Sequence, residues 1–231
     1  EPPALSSIIL TTNILCNGNT DGAADLSVSG GTQPYTYLWS TLETTEDIST
    51  LDTGTYTVTI TDACTATLID TAIVTEPAVL TTTMTNVDVS CFGNGDGTAT
   101  VTPAGGTMPY NYLWNNGQVT ATAVGLFPGN YTVNVTDANG CLTTDIVSIT
   151  QPPALTATIV SVTNVVCNGD STGASVVNAG GGTPPYNYLW DDADAQTDSN
   201  ATGLPAGVYN VQVTDFCGAN LSQSTTITEP A

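Results

Sequence analysis

The decapeptide GGTQPYTYLW, residues 30–39, returns as GGTMPYNYLW at 105–114 and as GGTPPYNYLW at 181–190. In the first copy Tyr35, Tyr37 and Trp39 stand two residues apart. In an extended strand that spacing puts their rings on one face. Such a face has two readings: a platform that stacks on the apolar faces of sugars, or the inner face of a sandwich. The supply of large apolar side chains favours the second. The whole chain has three Trp and three Phe, so a domain that left its largest ring in water would have little else to bury. Trp39, Trp114 and Trp190 are therefore assigned to cores.

The repetition extends to the whole chain. Cys16, Cys91 and Cys167 keep the interval of the tryptophans, and the segments at 73–77, 148–152 and 226–230 (IVTEP, SITQP and TITEP) punctuate it. The repeats are read as residues 1–75, 76–150 and 151–228, with 229–231 beginning a further one. A period near 75 residues is too long for a solenoid unit and long enough for a small domain with its own core.

Within the first repeat every legible segment is a strand. Ala24, Leu26 and Val28 alternate with polar residues, as do Tyr56, Val58 and Ile60 with Thr55, Thr57, Thr59 and Thr61, which is the period of a half-buried strand. Glycine-rich turns separate them, and no segment has helical periodicity. The spacing Leu51-x-x-Gly54-x-Tyr56 recurs at Leu126, Gly129 and Tyr131 and at Leu204, Gly207 and Tyr209. A Tyr just after a turn, opening a late strand, is the tyrosine corner of immunoglobulin-like sandwiches. Tyr56, Tyr131 and Tyr209 join the structural core. The expected fold is all-β: three tandem immunoglobulin-like β-sandwich domains arranged end to end.

Composition narrows the function. The chain of 231 residues has no Lys, Arg or His and carries 21 carboxylates. Nucleophilic catalysis through an imidazole base and Schiff-base chemistry through a lysine are thereby excluded. Nucleic acid and anionic membrane surfaces, recognised largely through Arg and Lys, are not expected partners. No apolar run is long enough to insert in a bilayer. Asp52-Thr53-Gly54 matches the aspartic-protease triplet, but the equivalent turns, 126–129 and 204–207, carry no acid. The expectation is that the protein is not an enzyme.

Six cysteines allow 15 pairings. Each repeat holds one before its second strand and one after the tyrosine strand, so pairing within repeats gives three equivalent bridges: Cys16 with Cys64, Cys91 with Cys141, Cys167 with Cys217. Each closes a loop of nearly fifty residues, worth about 4 kcal/mol in the chain-entropy model. Disulfides imply an oxidising compartment.

Two sets of acids raise the question of calcium, the one cofactor considered. Asn19 and Asp21, Asp96, and Asp170 lie in the glycine-punctuated loops after the first cysteine of each repeat, where oxygen donors alternate as in calcium loops, although the spacing is not that of an EF-hand. Asp62, Asp137 and Asp215 close each tyrosine strand. Asx-Gly pairs are also ordinary turn chemistry.

The run Cys-x-Gly-x-x-x-Gly, Gly-Gly-Thr-x-Pro-Tyr-x-Tyr-x-Trp, Leu-x-x-Gly-x-Tyr-x-Val, Thr-Asp-x-x-x-Cys, Thr-Glu-Pro resembles the SprB-type repeat. It is carried by Cys16, Gly18, Gly22, Gly30, Gly31, Pro34, Tyr35, Tyr37, Trp39, Gly54, Tyr56, Val58, Asp62 and Cys64 and their counterparts. In the first and third copies a single residue, Ala63 or Phe216, separates the Asp from the second cysteine, where the second copy has Asp137-Ala138-Asn139-Gly140-Cys141. The resemblance implies a large cell-surface or secreted protein of Bacteroidota, of the kind that includes gliding-motility adhesins, exported by the type IX system. It further implies O-glycosylation candidates at Thr71 and Ser171, in the triplets Asp70-Thr71-Ala72 and Asp170-Ser171-Thr172.

Two functions follow as expectations. The first is a structural segment of an extracellular filament, stalk or adhesin: a rigid disulfide-stapled rod of roughly 80–120 Å, partnered end to end by neighbouring repeats or like subunits. The alternative is a calcium-dependent array that binds extracellular glycans or surfaces by avidity.

Overall fold

The computed structural model describes residues 2–231; Glu1, the first residue of the first repeat as read above, lies outside the described residues. Among the described residues eighteen strands form six three-stranded sheets, every pairing antiparallel where its register is defined. In the first repeat β1 (Ser6–Thr12), β2 (Gly22–Ser29) and β4 (Ile48–Leu51) make one sheet, and β3 (Thr36–Trp39), β5 (Gly54–Thr61) and β6 (Thr67–Val74) the other. The second repeat has β7 (Thr81–Val87), β8 (Gly97–Ala104) and β10 (Thr122–Leu126), with β9 (Asn111–Trp114), β11 (Gly129–Thr136) and β12 (Leu142–Ile149). The third has β13 (Thr156–Thr163), β14 (Gly173–Gly180) and β16 (Asn200–Leu204), with β15 (Asn187–Trp190), β17 (Gly207–Thr214) and β18 (Asn220–Ile227). These are tandem immunoglobulin-like domains.

Alternation is what makes each strand two-sided. Along β5 Val58 and Ile60 are fully buried, and along β2 Ala24 and Leu26 face the same core with Trp39, Ile48, Leu51, Ala72 and Val74. Trp39, Trp114 and Trp190 are each 1 % exposed. Their indole N–H groups donate to the carbonyls of Thr45, Thr120 and Asp198 at 2.9–3.0 Å, so the ring's polar edge is satisfied inside. The hydroxyls of Tyr56, Tyr131 and Tyr209 donate to the carbonyls of Asp52, Phe127 and Pro205, four residues upstream. Tyr35, Tyr110 and Tyr186 do likewise to Gly30, Gly105 and Gly181.

By contacts the chain divides into two compact units. Among the described residues one is 2–84, Val101–Ala121 and Thr132–Ile146; the other is Thr85–Thr100, Thr122–Tyr131 and Val147–Ala231. Each unit contains one of the two disulfides.

The disulfides correct the expected pairing. Cys16 is bonded to Cys141, and Cys91 to Cys217, whereas Cys64 and Cys167 are free and exposed. The reason is strand direction. In the first sandwich Gly22 pairs with Leu51 and Gly54 with Val74, so the start of β2, the end of β4, the start of β5 and the end of β6 share one pole. Cys16 belongs to that pole, because Ile14 N–H donates to Thr75 just past β6. β3 and β4 both run towards it, since Thr36 pairs with Thr61 and Ile48 with Ala24. β5 therefore leaves it, and Cys64, in the β5–β6 turn, falls at the opposite pole. The eight-residue β6 separates them by about 25 Å, far beyond the roughly 7 Å that a disulfide spans between Cα atoms.

Candidate functional site at the repeat joints

The two poles of each sandwich are chemically different, and a joint sets one kind against the other. The leading pole carries the Gly-Gly-Thr loop and the β5–β6 turn, held together by a buried aspartate. Asp137 is 2 % exposed. Its Oδ2 accepts the Thr107 amide at 2.8 Å, and its Oδ1 accepts those of Asn139 and Cys141, both at 2.9 Å. Asp62 does the same for Thr32, Cys64 and Ala66, and Asp215 for Thr183 and Ala219. With no cationic side chain in the protein, backbone N–H groups are what these charges have. The Thr32 amide foremost, with those of Ala66 and Cys64, holds Asp62 below the usual carboxylate range. For Asp137 burial pushes upward, and the amides of Thr107, Cys141, Asn139 and Gly140 together outweigh it. These acids position the second cysteine of each repeat.

The trailing pole carries the first cysteine and the linker. In the first joint Ile14 N–H donates to Thr75 at 3.0 Å and Thr75 N–H to Asn13 Oδ1 at 2.9 Å. Gly18 N–H reaches Glu76 Oε2 at 2.8 Å, and Asn17 Nδ2 reaches Pro77 O at 3.0 Å. At the next residue Ala78 O accepts Gly106 N–H of the next leading pole at 2.8 Å. Gly105 has φ of 72°, and a Cβ there would stand 2.0 Å from Val79 O, so only glycine lets the incoming linker lie against the loop. Asn139 Nδ2 donates to Leu15 O at 2.8 Å, and the Cys16–Cys141 bridge closes the joint with a Cα–Cα distance of 5.6 Å. A cleft of about 380 Å³ remains there, lined by Cys16, Asn17, Asn19, Val79, Leu80 and residues 140–142.

In the other unit the second joint repeats this with substitutions that keep the oxygen or the donor. Gln151 Oε1 replaces the carboxylate for Gly93 N–H at 2.8 Å, Asp88 replaces Asn13 for Thr150 N–H at 2.8 Å, and Pro153 O accepts Gly182 N–H at 2.7 Å. Ser90 O, the counterpart of Leu15 O, accepts from Thr183 Oγ1 at 3.0 Å instead of from an asparagine. Cys91 and Cys217 are joined with Cα atoms 5.9 Å apart.

The calcium candidates lie in the trailing-pole loops. Asp21 Oδ1 accepts Leu15 N–H at 3.2 Å, and Asp96 accepts both the amide, at 3.0 Å, and the hydroxyl of Ser90. The third copy places Thr172 at that position, 3.5 Å from Val166 N–H. Asn19 and Asp170 donate their own amides to the cysteine carbonyls. The acids thus brace the cysteine loop one at a time. Among the described residues no three His, Cys, Asp or Glu side chains come together as a metal would require. Thr71 and Ser171 are both exposed. The buried indoles offer sugars no platform.

Sequence reasoning did not find the joint-forming roles of Glu76, Gln151, Asn139 and Thr183. The Thr-Glu-Pro and Thr-Gln-Pro punctuation was their signal: both forms supply a side-chain oxygen to a glycine amide.

A tandem array of immunoglobulin-like sandwiches, bridged from one repeat to the next, is the class these observations define. The SprB repeat family model matches residues 10–44, 83–119 and 159–195, and the chain carries three copies of the SprB repeat. This is a repeat associated with surface adhesins, not a catalytic family, and with the disulfides it points to an extracellular surface protein. No curated protein matches the chain. Among solved structures it is similar to the three N-terminal domains of the bacteriophage RB49 Highly Immunogenic Outer Capsid protein, at 13 % identity and TM-score 0.46, covering 99 % of this chain and 100 % of that one. It is also similar to Sidekick-1 immunoglobulin domains 1–5, at 12 % identity and TM-score 0.45, covering 99 % and 59 %.

Proposed function

We propose that the chain is a load-bearing structural segment of an extracellular surface filament, stalk or adhesin, in which disulfides fasten successive repeats to one another. The observation that carries this reading is that both bridges join neighbouring repeats and neither closes a sandwich on itself.

The covalent topology that results suits tension. The Cys16–Cys141 and Cys91–Cys217 bridges make two nodes, and three stretches of chain run between them: Cys16 to Cys91, Cys91 to Cys141, and Cys141 to Cys217. The shortest of these, about 50 residues within the second repeat, limits how far the nodes can separate even if every sandwich unfolds. Pulled from its ends, the bridged chain yields roughly 80 residues of contour, about 280 Å, whereas the reduced chain yields all 231, about 800 Å. Single-molecule stretching of the chain with and without reductant tests this. Equal extension in both conditions would remove the load-bearing reading.

A further inference from the structure

The two free cysteines are the unmatched halves of the bond that the chain makes twice. Cys64 occupies the β5–β6 turn of a leading pole, two residues after Asp62, as Cys217 is two residues after Asp215. Its turn is braced in the same way, with Asp62 accepting the Cys64 and Ala66 amides and Asp215 that of Ala219. Pro3 O already accepts Gly31 N–H at 2.8 Å, the bond that Ala78 and Pro153 make in the complete joints. Cys167 occupies the loop of a trailing pole. Its linker is docked as in the first joint: Gly169 N–H to Glu229 Oε2 at 2.8 Å, Asn168 Nδ2 to Pro230 O at 3.1 Å, and Thr228 N–H to Asn164 Oδ1 at 3.0 Å. Both thiols are exposed. Everything on each side of a joint is therefore assembled, apart from the partner pole and its sulfur.

We infer that a second copy of this chain docks end to end, its leading pole on the Cys167 pole of the first, and that Cys167 and the incoming Cys64 form a third inter-repeat disulfide. This rests on the reading of the chain as a repeat array. The pairing is heterologous, one kind of pole on the other, so it propagates instead of stopping at a dimer. It is a two-electron oxidation and needs a disulfide donor such as oxidised glutathione. A Cys167 thiolate attacks one glutathione sulfur and releases a first glutathione thiolate. The Cys64 thiolate then attacks the Cys167 sulfur and releases the second. Two protein thiols and one oxidised glutathione give one protein disulfide and two reduced glutathiones.

The test is oxidation of the purified chain with oxidised glutathione at tens of micromolar protein, read by non-reducing electrophoresis and peptide mass mapping. The expected result is a ladder of covalent oligomers whose new link is Cys64–Cys167, at least tenfold over Cys64–Cys64 and Cys167–Cys167, with both internal bridges intact. Cys64→Ser and Cys167→Ser leave those bridges untouched, so their folding is the control. Neither variant alone gives a ladder, and an equimolar mixture gives a dimer and nothing longer. Symmetric links as frequent as Cys64–Cys167 would mean chance collision and overturn the inference. So would persistent monomer, including the case in which a chain carrying residues 4–75 again after Ala231 bridges Cys167 internally while separate copies do not join. Failure here with the stretching result above intact leaves the array reading standing and removes only the end-to-end copy.

Discussion

Replacing Cys16 by Ser cuts the first joint's bridge; replacing Cys64 by Ser cuts nothing. The cost of the first change follows from the loop each bridge closes. If the first sandwich unfolds while the second stays folded, the tethered segment runs from Cys16 to the linker at Thr75, roughly 60 residues, and the bridge contributes about 4 kcal/mol. If both unfold together the loop spans the 125 residues between the two cysteines, and the figure rises to about 5 kcal/mol. Either value is a large part of the stability available to a sandwich of this size. Urea unfolding of the oxidised chain, followed by tryptophan fluorescence, reads the difference. Cys16→Ser, Cys141→Ser and the double variant should lose the same 4–5 kcal/mol, roughly, because they remove one shared interaction. Cys64→Ser should stay within about 0.5 kcal/mol of the parent, as a surface substitution. A Cys64→Ser loss equal to that of Cys16→Ser would refute the reasoning and restore pairing within repeats.

Acid should loosen the leading poles. The pKa values of Asp62 and Asp137 are depressed by folding, so their contribution is complete above the unfolded value of about 3.9 and fades as pH falls towards the folded value. Thermal melts from pH 6 to pH 2 should show it, with a flatter acid limb in Asp137→Asn. At the alkaline end the Tyr37 hydroxyl is pushed up to about 12 by burial and by Glu46 beside it. Its contribution is present below pH 10 and lost as pH rises through 12, an effect that Tyr37→Phe should abolish in alkaline unfolding. Gly105→Ala, which sets a Cβ 2.0 Å from Val79 O at positive φ, should cost roughly 3 kcal/mol or more by denaturant unfolding. Thr225 Oγ1 is buried without a hydrogen-bond partner among the described residues, at the position held by Ala72 and Val147. Thr225→Val should therefore raise stability by about 1 kcal/mol, read as a higher melting temperature. Chelation with EDTA should leave the melting temperature unchanged, since the loop acids already accept backbone amides.

Periodicity carried most of the fold. The alternation around Val58 and Ile60, the Leu-x-x-Gly-x-Tyr spacing and the threefold recurrence of the Trp strand require no tertiary knowledge, because each reports a local geometry that the side chains enforce. The disulfide pairing was not legible in this way. It depends on which pole each strand leaves from, and that turns on β3 and β4 running in the same direction. Their connection, residues 40–47, has no periodic signal. The pole aspartates were visible as a recurring Thr-Asp pair, but their partners are backbone amides. Any residue supplies those, so sequence does not mark them.

Peptide mapping of the purified, dilute chain under non-reducing conditions tests the central claim most directly. Trypsin has no site, so free thiols are first alkylated and the chain is then cut at its aspartates. The account predicts peptides joined through Cys16–Cys141 and Cys91–Cys217, with Cys64 and Cys167 alkylated. Peptides joined through Cys16–Cys64, Cys91–Cys141 or Cys167–Cys217 would contradict it, and with it the array fastened from one repeat to the next.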